Sequence, residues 1–256
     1  MKQSTPLLEK NGAQTAAQPL LELDNVVAGY GPTPVLFGVD MTVNEGDIAC
    51  LLGRNGVGKT TLLRSVIGLN SLDSGSISFG GKDITKAATY QRARQGIAYI
   101  PQGREIIPYL SVLDNLKMGF SASGKKARTK GDGIPTEIYD FFPMLKEHLS
   151  RQGGLLSGGQ QQQLAIARGL MCNPKIMLLD EPTEGIQPSI VQEIEDTLRR
   201  INKEKGITIV VVEQKIEFAR KLAQKFFIMK KGTIVEKGTT DQLSDALLQK
   251  YLAEIG

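Results

Sequence analysis

The stretch from Ile48 to Ile67 constrains the fold more than any other part of the chain. Ile48–Leu52 is a short, unbroken apolar run, the pattern of a strand buried on both faces. Leu62, Leu63, Val66 and Ile67 share one face of a helix predicted over Thr60–Ile67, and Gly68 suits its end. Between strand and helix stands Gly53-Arg54-Asn55-Gly56-Val57-Gly58-Lys59-Thr60, which fits Gly-x-x-x-x-Gly-Lys-[Ser/Thr] in the setting that pattern requires. The glycines let the backbone curl so that N–H groups from Gly53 to Thr61 converge on phosphate oxygens, and the helix N-terminus adds partial positive charge. Lys59 can reach the β- and γ-phosphates of ATP, and the Thr60 hydroxyl can bind Mg²⁺. The competing reading is a glycine-rich turn that happens to carry a lysine; correct flanks on both sides favour nucleotide binding.

Around this unit the periodicity switches between two and 3.6. Leu21 and Leu23, then Val39, Met41 and Val43, alternate as half-buried strands do, and Ile77 and Phe79 alternate before a Gly80-Gly81 hairpin signal. Ile97–Ile100 is a short strand stopped by Pro101. Ser111-x-x-Asp114 resembles a capping box opening a short helix, residues 121–133 read as loop, and Ile134–Ser150 and Gln160–Met171 read as helices. Buried strands follow at Ile176–Leu179 and Ile207–Val212. Helix faces run through Ile190, Val191, Ile194, Leu198 and Ile201 and through Phe218, Ala219, Leu222 and Ala223. Phe226–Met229 and Thr233–Val235 flank a hairpin turn, and a final amphipathic helix is predicted from about Asp241. The alternation implies an α/β fold with a mixed, largely parallel sheet, an N-terminal antiparallel β subdomain and an α-helical insert.

Composition excludes several classes. The 256 residues are 41% hydrophobic and 23% charged, ordinary globular usage that argues against global disorder, collagen-like repeats and a small disulfide scaffold. A net charge of +4 permits contact with phosphates or a membrane surface without demanding either. No apolar run approaches the roughly 20 residues that span a bilayer. Cys50 and Cys172 lie in apolar stretches and read as reduced core thiols of a cytosolic protein. Residues 1–19 read as a flexible extension without the pattern of a secretory signal.

Two further motifs carry chemistry. Ile176-Met177-Leu178-Leu179-Asp180-Glu181 is an apolar strand ending in two acids, and the carboxyl end of such a strand borders the ligand crevice. Asp180 is placed to help hold Mg²⁺, and Glu181 to polarise the attacking water. Alone, the pair would read as a solvated turn before Pro182; a phosphate loop in the same chain tips the balance. Leu156-Ser157-Gly158-Gly159-Gln160 then opens a glutamine-rich helix and is a second anion-binding device. One ATP does not need both, and a dimer in which each subunit covers the other's nucleotide uses them economically.

Gly53–Thr60, Gln102, Leu156–Gln160, Asp180 and Glu181 together resemble the ATP-binding subunits of ABC transporters, in order and in spacing, over residues 20 to about 240. The resemblance implies a P-loop NTPase core forming one ATPase domain over 20–256, with a helical subdomain at about 103–172. It implies ATP hydrolysis with ATP and Mg²⁺. Tyr30 would stack on adenine, and Gln102 would touch Mg²⁺ or water and sense the membrane partner. Ser157, Gly158, Gly159 and Gln160 would contact the ATP of the opposing subunit, and Glu184-Gly185-Ile186-Gln187 would couple the two sites. Many relatives carry His where this chain has Gln214; its amide can still donate to a γ-phosphate oxygen, but it cannot carry a proton charge. The one histidine, His148, reads as an exposed structural residue.

Pro101–Ile106, Thr183–Pro188 and Val212–Gln214 are most similar to the second ATPase subunit of branched-chain amino-acid and urea importers; the second segment leans toward urea, which the resemblance implies as the solute, with a branched-chain or neutral amino-acid importer as the alternative. The implied partners are integral membrane permease subunits, a homologous ATPase subunit or a second copy of this chain, and indirectly a solute-binding protein. The implied location is the cytoplasmic face of the inner or plasma membrane, with no nucleic acid bound. The basic residues Lys125, Lys126, Arg128 and Lys130 read as a solvated charge run rather than a lipid contact. Two rivals differ in class: a soluble ABC ATPase acting on nucleic acid or ribosomes, and a regulatory nucleotide switch that scarcely hydrolyses.

Overall fold

The computed structural model describes residues 18–123 and 132–252. The chain opens with β1 (Pro19–Tyr30), β2 (Thr33–Asn44), β3 (Ile48–Leu52), α1 (Lys59–Val66), β4 (Leu72–Phe79), β5 (Lys82–Asp83), α2 (Thr89–Gln95) and β6 (Ile97–Ile100). A helical stretch follows, with α3 (Val112–Ser123), α4 (Thr136–Phe141), α5 (Pro143–Glu147) and α6 (Gly158–Leu170). Then come β7 (Ile176–Asp180), α7 (Pro188–Lys205), β8 (Thr208–Glu213), α8 (Ile216–Leu222), β9 (Lys225–Lys230), β10 (Thr233–Thr239) and α9 (Asp245–Leu252).

The unbroken apolar runs form the central sheet, in the order β10-β9-β3-β8-β7-β6. Within it β9, β3, β8, β7 and β6 are parallel, and β10 is antiparallel to β9. Period two sends alternate residues to opposite faces. Cys50, Leu52, Met177, Leu179, Ile209 and Val211 pack against the helical side with Leu164 of α6 and Leu198 of α7. Ala49, Leu51, Leu178, Val210 and Val212 pack the other way, with Leu62 and Leu63 of α1 and the antiparallel strands. Both faces are covered, so the interior positions of β3, β7 and β8 are apolar, and each fully buried Leu, Val or Ile contributes about 1.5–3 kcal/mol.

The second sheet is antiparallel, in the order β2-β1-β4-β5, and only one face is buried. Leu21, Leu23, Val39, Met41, Val43, Ile77 and Phe79 form that face, which explains their alternation. Gly80 (φ 55°) and Gly81 (φ 73°) make the two-residue turn between β4 and β5, a conformation that favours glycine at both positions.

Parallel strands place all their carboxyl ends on one edge. The register sets Leu52 beside Glu213, Asp180 beside Val212 and Ile100 beside Leu179. The loops after β3, β6, β7 and β8 therefore emerge together, at the crevice where open α/β sheets bind ligands.

Several boundaries differ from expectation. Ile134–Ser150 is not one helix but α4 and α5, broken at Phe142 (φ −133°, ψ 69°), because Pro143 disfavours helical backbone in the residue before it. The last helix starts at Asp245 rather than Asp241; Thr240–Gln242 is a single 3₁₀ turn. α3 continues through Ser123, into the segment expected to be loop. The Ser111 capping interaction is present: Ser111 Oγ accepts the Asp114 amide at 3.0 Å and donates to its carboxylate at 2.5 Å. Pro19, placed in the flexible extension, is the first residue of β1 and pairs with Asn44; residues 1–17 lie outside the described residues, as do Lys125, Lys126, Arg128 and Lys130. Among the described residues no helix is long and apolar enough to cross a membrane.

Candidate nucleotide site

The loop after β3 has two constrained glycines, one confined by a backbone contact and the other by its conformation. A Cβ at Gly53 would lie 2.8 Å from the Met229 carbonyl oxygen. Gly58, the N-cap of α1, has φ 113°, which L side chains rarely adopt, and a Cβ there would lie 3.0 Å from Leu36 Cδ2. No side chain caps α1, so the amides of its first turn are left for a ligand.

Lys59 is buried, and its Nζ donates to the carbonyls of Gly53 at 2.9 Å and Arg54 at 3.0 Å. It also pairs with Glu181 Oε1 at 3.1 Å. An ammonium group has three protons, so these acceptors match its capacity, and a phosphate arriving here competes with them. Around it Tyr30, Val35, Asn55, Gly56, Gly58, Lys59, Thr60, Thr61, Gln102 and Glu181 enclose a cavity of about 360 Å³. Tyr30 is half exposed at the end of β1, and its hydroxyl accepts from Thr61 Oγ1 at 3.4 Å.

Opposite the loop, Asp180 ends β7 with 1% exposure. Its Oδ2 accepts from Tyr99 Oη at 3.2 Å, while Oδ1 is buried without a hydrogen-bond partner. Burial pushes the Asp180 carboxyl above its usual range, against the pull of the Thr60 and Tyr99 hydrogen bonds. A buried, unpartnered carboxylate oxygen beside a threonine hydroxyl suits a hard divalent cation.

Glu181 has φ +46°, unusual for a residue other than glycine and a sign of stored backbone strain. Its Oε2 accepts from Gln214 Nε2 at 3.4 Å, so the structure brings these two side chains together. Gln102 lines the cavity and donates through Nε2 to Glu184 Oε2 at 2.9 Å, and Arg104 donates to the Glu184 carbonyl at 3.1 Å. Sequence reasoning missed the Gln102–Glu184 link and Tyr99 as a partner of Asp180. The position of Tyr99 near the carboxyl end of β6 was the available signal for the latter.

Ser157, Gly158, Gly159 and Gln160 are absent from the lining of this cavity. Ser157 is the N-cap of α6: its Oγ accepts the Gln160 amide at 3.3 Å, and Gln160 Oε1 accepts the Ser157 amide at 2.9 Å. A Cβ at Gly159 would lie 2.7 Å from Ile190 Cγ2, so α6 and α7 approach closely there. His148, expected to be exposed, is half-buried with Nε2 3.5 Å from Gln160 Nε2. Both cysteines are free; Cys50 is buried, and Cys172 is half-buried, donating to the Gly119 carbonyl at 3.2 Å.

A glycine-bounded loop with a buried lysine, facing two acids across the carboxyl edge of a parallel sheet, defines a phosphate-loop nucleotide-binding protein. Residues 36–184 match the ABC transporter family. The chain belongs to that family and is one of its ATP-hydrolysing cassettes. It is 37% identical over 221 residues to the high-affinity branched-chain amino acid transport ATP-binding protein BraG of Pseudomonas aeruginosa, covering 86% of this chain and 93% of that protein. It is 32% identical over 217 residues to the probable branched-chain amino acid transport ATP-binding protein LivF of Archaeoglobus fulgidus, covering 84% and 90%. A sulfate/thiosulfate import ATP-binding protein of Shewanella oneidensis shares 30% identity over 236 residues, covering 91% of this chain and 66% of that protein. Among solved structures, the ADP conformation of an ATP-binding cassette of an ABC transporter superposes with a TM-score of 0.82 at 28% identity, covering 93% of this chain and 98% of that one. A dimeric post-hydrolysis cassette bound to ADP and Pi superposes with a TM-score of 0.78 at 26% identity, covering 86% and 99%.

Proposed function

We propose that this cassette hydrolyses ATP to energise solute import through a membrane ABC transporter, working at the cytoplasmic face beside permease subunits. The observation that carries the reading is the cavity in which Lys59 and Thr60 face Glu181 and Gln102. In this reading the amides of Gly53–Thr61, with Lys59, hold the phosphates, and Tyr30 packs on the base. Thr60, Asp180 and Gln102 would hold Mg²⁺, which when bound neutralises charge on the phosphate oxygens. One carboxylate, one hydroxyl and one amide oxygen are a donor set that would suit a hard divalent cation.

Glu181 accepts a proton from the attacking water, and the Gln214 amide, 3.4 Å from its Oε2, orients that carboxylate and donates to the γ-phosphoryl group. Ser157, Gly158, Gly159 and Gln160 act on the nucleotide of a second ATPase subunit, this chain or a homologue. Closure of the two subunits on ATP switches the permease, and hydrolysis reopens them. Branched-chain amino acids are the solute supported by two relatives of near-full coverage. Urea, suggested by Thr183–Pro188, is the second solute; the choice lies with other subunits.

The test is Glu181→Gln. Turnover should fall about 10²- to 10³-fold while nucleotide binding and an ATP-stabilised dimer persist. Unchanged phosphate release would remove Glu181 from its role.

A further inference from the structure

Thr183 is fully buried, and each of its polar atoms is held by a single neighbouring segment. Its amide donates to Glu213 Oε1 at 3.1 Å, and its hydroxyl donates to the same oxygen at 2.8 Å. Its carbonyl accepts from Lys215 Nζ at 3.2 Å. The other oxygen of Glu213, Oε2, accepts the Gln214 amide at 3.2 Å. Glu213 is 3% exposed, ends β8 and sits in register with Leu52, the residue before the phosphate loop.

These contacts bear on the strained residue. Glu181 at φ +46° persists only if its surroundings over-determine it. Its own amide donates to the Val212 carbonyl at 2.9 Å. Pro182 has no amide to offer. The next anchor is therefore Thr183, and that anchor is Glu213. The same carboxylate grips the backbone of Gln214, so one side chain holds the segments that carry Glu181 and Gln214.

We infer that Glu213 is a positioning residue that locks these two segments into one unit and maintains the 3.4 Å approach of Glu181 and Gln214. The inference rests on the proposed role of Glu181. Its chemistry is specific to a carboxylate. Both oxygens serve as acceptors, Oε1 for two donors and Oε2 for one. Glutamine at 213 keeps the volume but replaces one acceptor with an NH₂ group, and a donor then faces either the Thr183 pair or the Gln214 amide.

Glu213→Gln in the full chain tests this. Turnover should fall roughly tenfold or more because the reacting groups lose alignment, with the KM for Mg-ATP within about threefold of the parent. Hydrogen exchange at the Thr183 and Gln214 amides should quicken about tenfold, while amides of α1 keep the parental rate. Thr183→Val, which removes the hydroxyl donor and keeps shape and amide, should give a smaller fall with the same split; it carries the test if the first variant does not fold. Parental kcat in both variants, a loss confined to KM, or unchanged exchange at Thr183 and Gln214 would each overturn the inference. Full turnover in Glu181→Gln would instead overturn the reading of Glu181, so the two failures are distinguishable.

Discussion

Two glycine-rich helix starts in this chain look alike as sequence and are built differently. At α1 the N-cap is Gly58, no side chain caps the helix, and the adjoining lysine is 4% exposed. At α6 the N-cap is Ser157, exposed, with its hydroxyl and the Gln160 carboxamide satisfying each other's backbone amides. The first end keeps its first-turn donors for a phosphate and faces Asp180 and Glu181 within one chain. The second has two amides already engaged and presents Gly158 to its surroundings. Under the proposed reading, the first is a nucleotide site within a single subunit, and the second acts on the nucleotide of another.

The largest expected effect falls on the first. Lys59→Ala removes the ammonium that the phosphates would engage and leaves Glu181 buried without its ion-pair partner. A hydrogen bond to a charged group is worth about 1.5–3 kcal/mol, so nucleotide affinity should fall about 10- to 100-fold by calorimetry. Retained affinity would show that this loop is not where phosphate binds, and the contrast between the two helix ends would collapse.

The second end gives a smaller and different result. Ser157→Ala deletes one half of the cap and should lower stability by about 0.5–2 kcal/mol in a denaturant titration. Under the proposed reading, nucleotide affinity of the separated subunit stays at the parental value, while ATP-dependent dimerisation weakens. Weakened binding in the separated subunit would mean that both helix ends serve one nucleotide in one chain, and that the comparison is drawn wrongly.

What the chain discloses before folding follows the same division. β3, β7 and β8 are legible because the interior of a strand buried on both faces must be apolar, and Leu178 and Val210 satisfy that condition on one face as Leu179 and Val211 do on the other. The phosphate loop is legible because its backbone demands glycine at fixed positions: Gly53 lies against the Met229 carbonyl, and Gly58 has φ 113°. The break at Phe142 was in the sequence too, but helical periodicity on both sides masked the effect of Pro143. The Gln102–Glu184 and Glu213–Thr183 bonds join residues 82 and 30 positions apart. Such pairs depend on which strands become neighbours, and local patterns are silent about that.

The smallest expected effect concerns Tyr30, which lines the first site and accepts a hydrogen bond from the Thr61 hydroxyl. Its ring is half exposed at the mouth of the cavity, so it has little packing to lose. An aromatic contact of this kind is worth about 0.5–1.5 kcal/mol, so Tyr30→Ala should weaken ATP binding about 2- to 12-fold. Tyr30→Phe keeps the ring and should bind like the parent. Inorganic tripolyphosphate, which has no base, should bind Tyr30→Ala and the parent equally. That last measurement separates base from phosphate within the α1 site: equal losses for ATP and tripolyphosphate would mean that Tyr30 acts by propping Thr61 and the loop, not by packing on adenine.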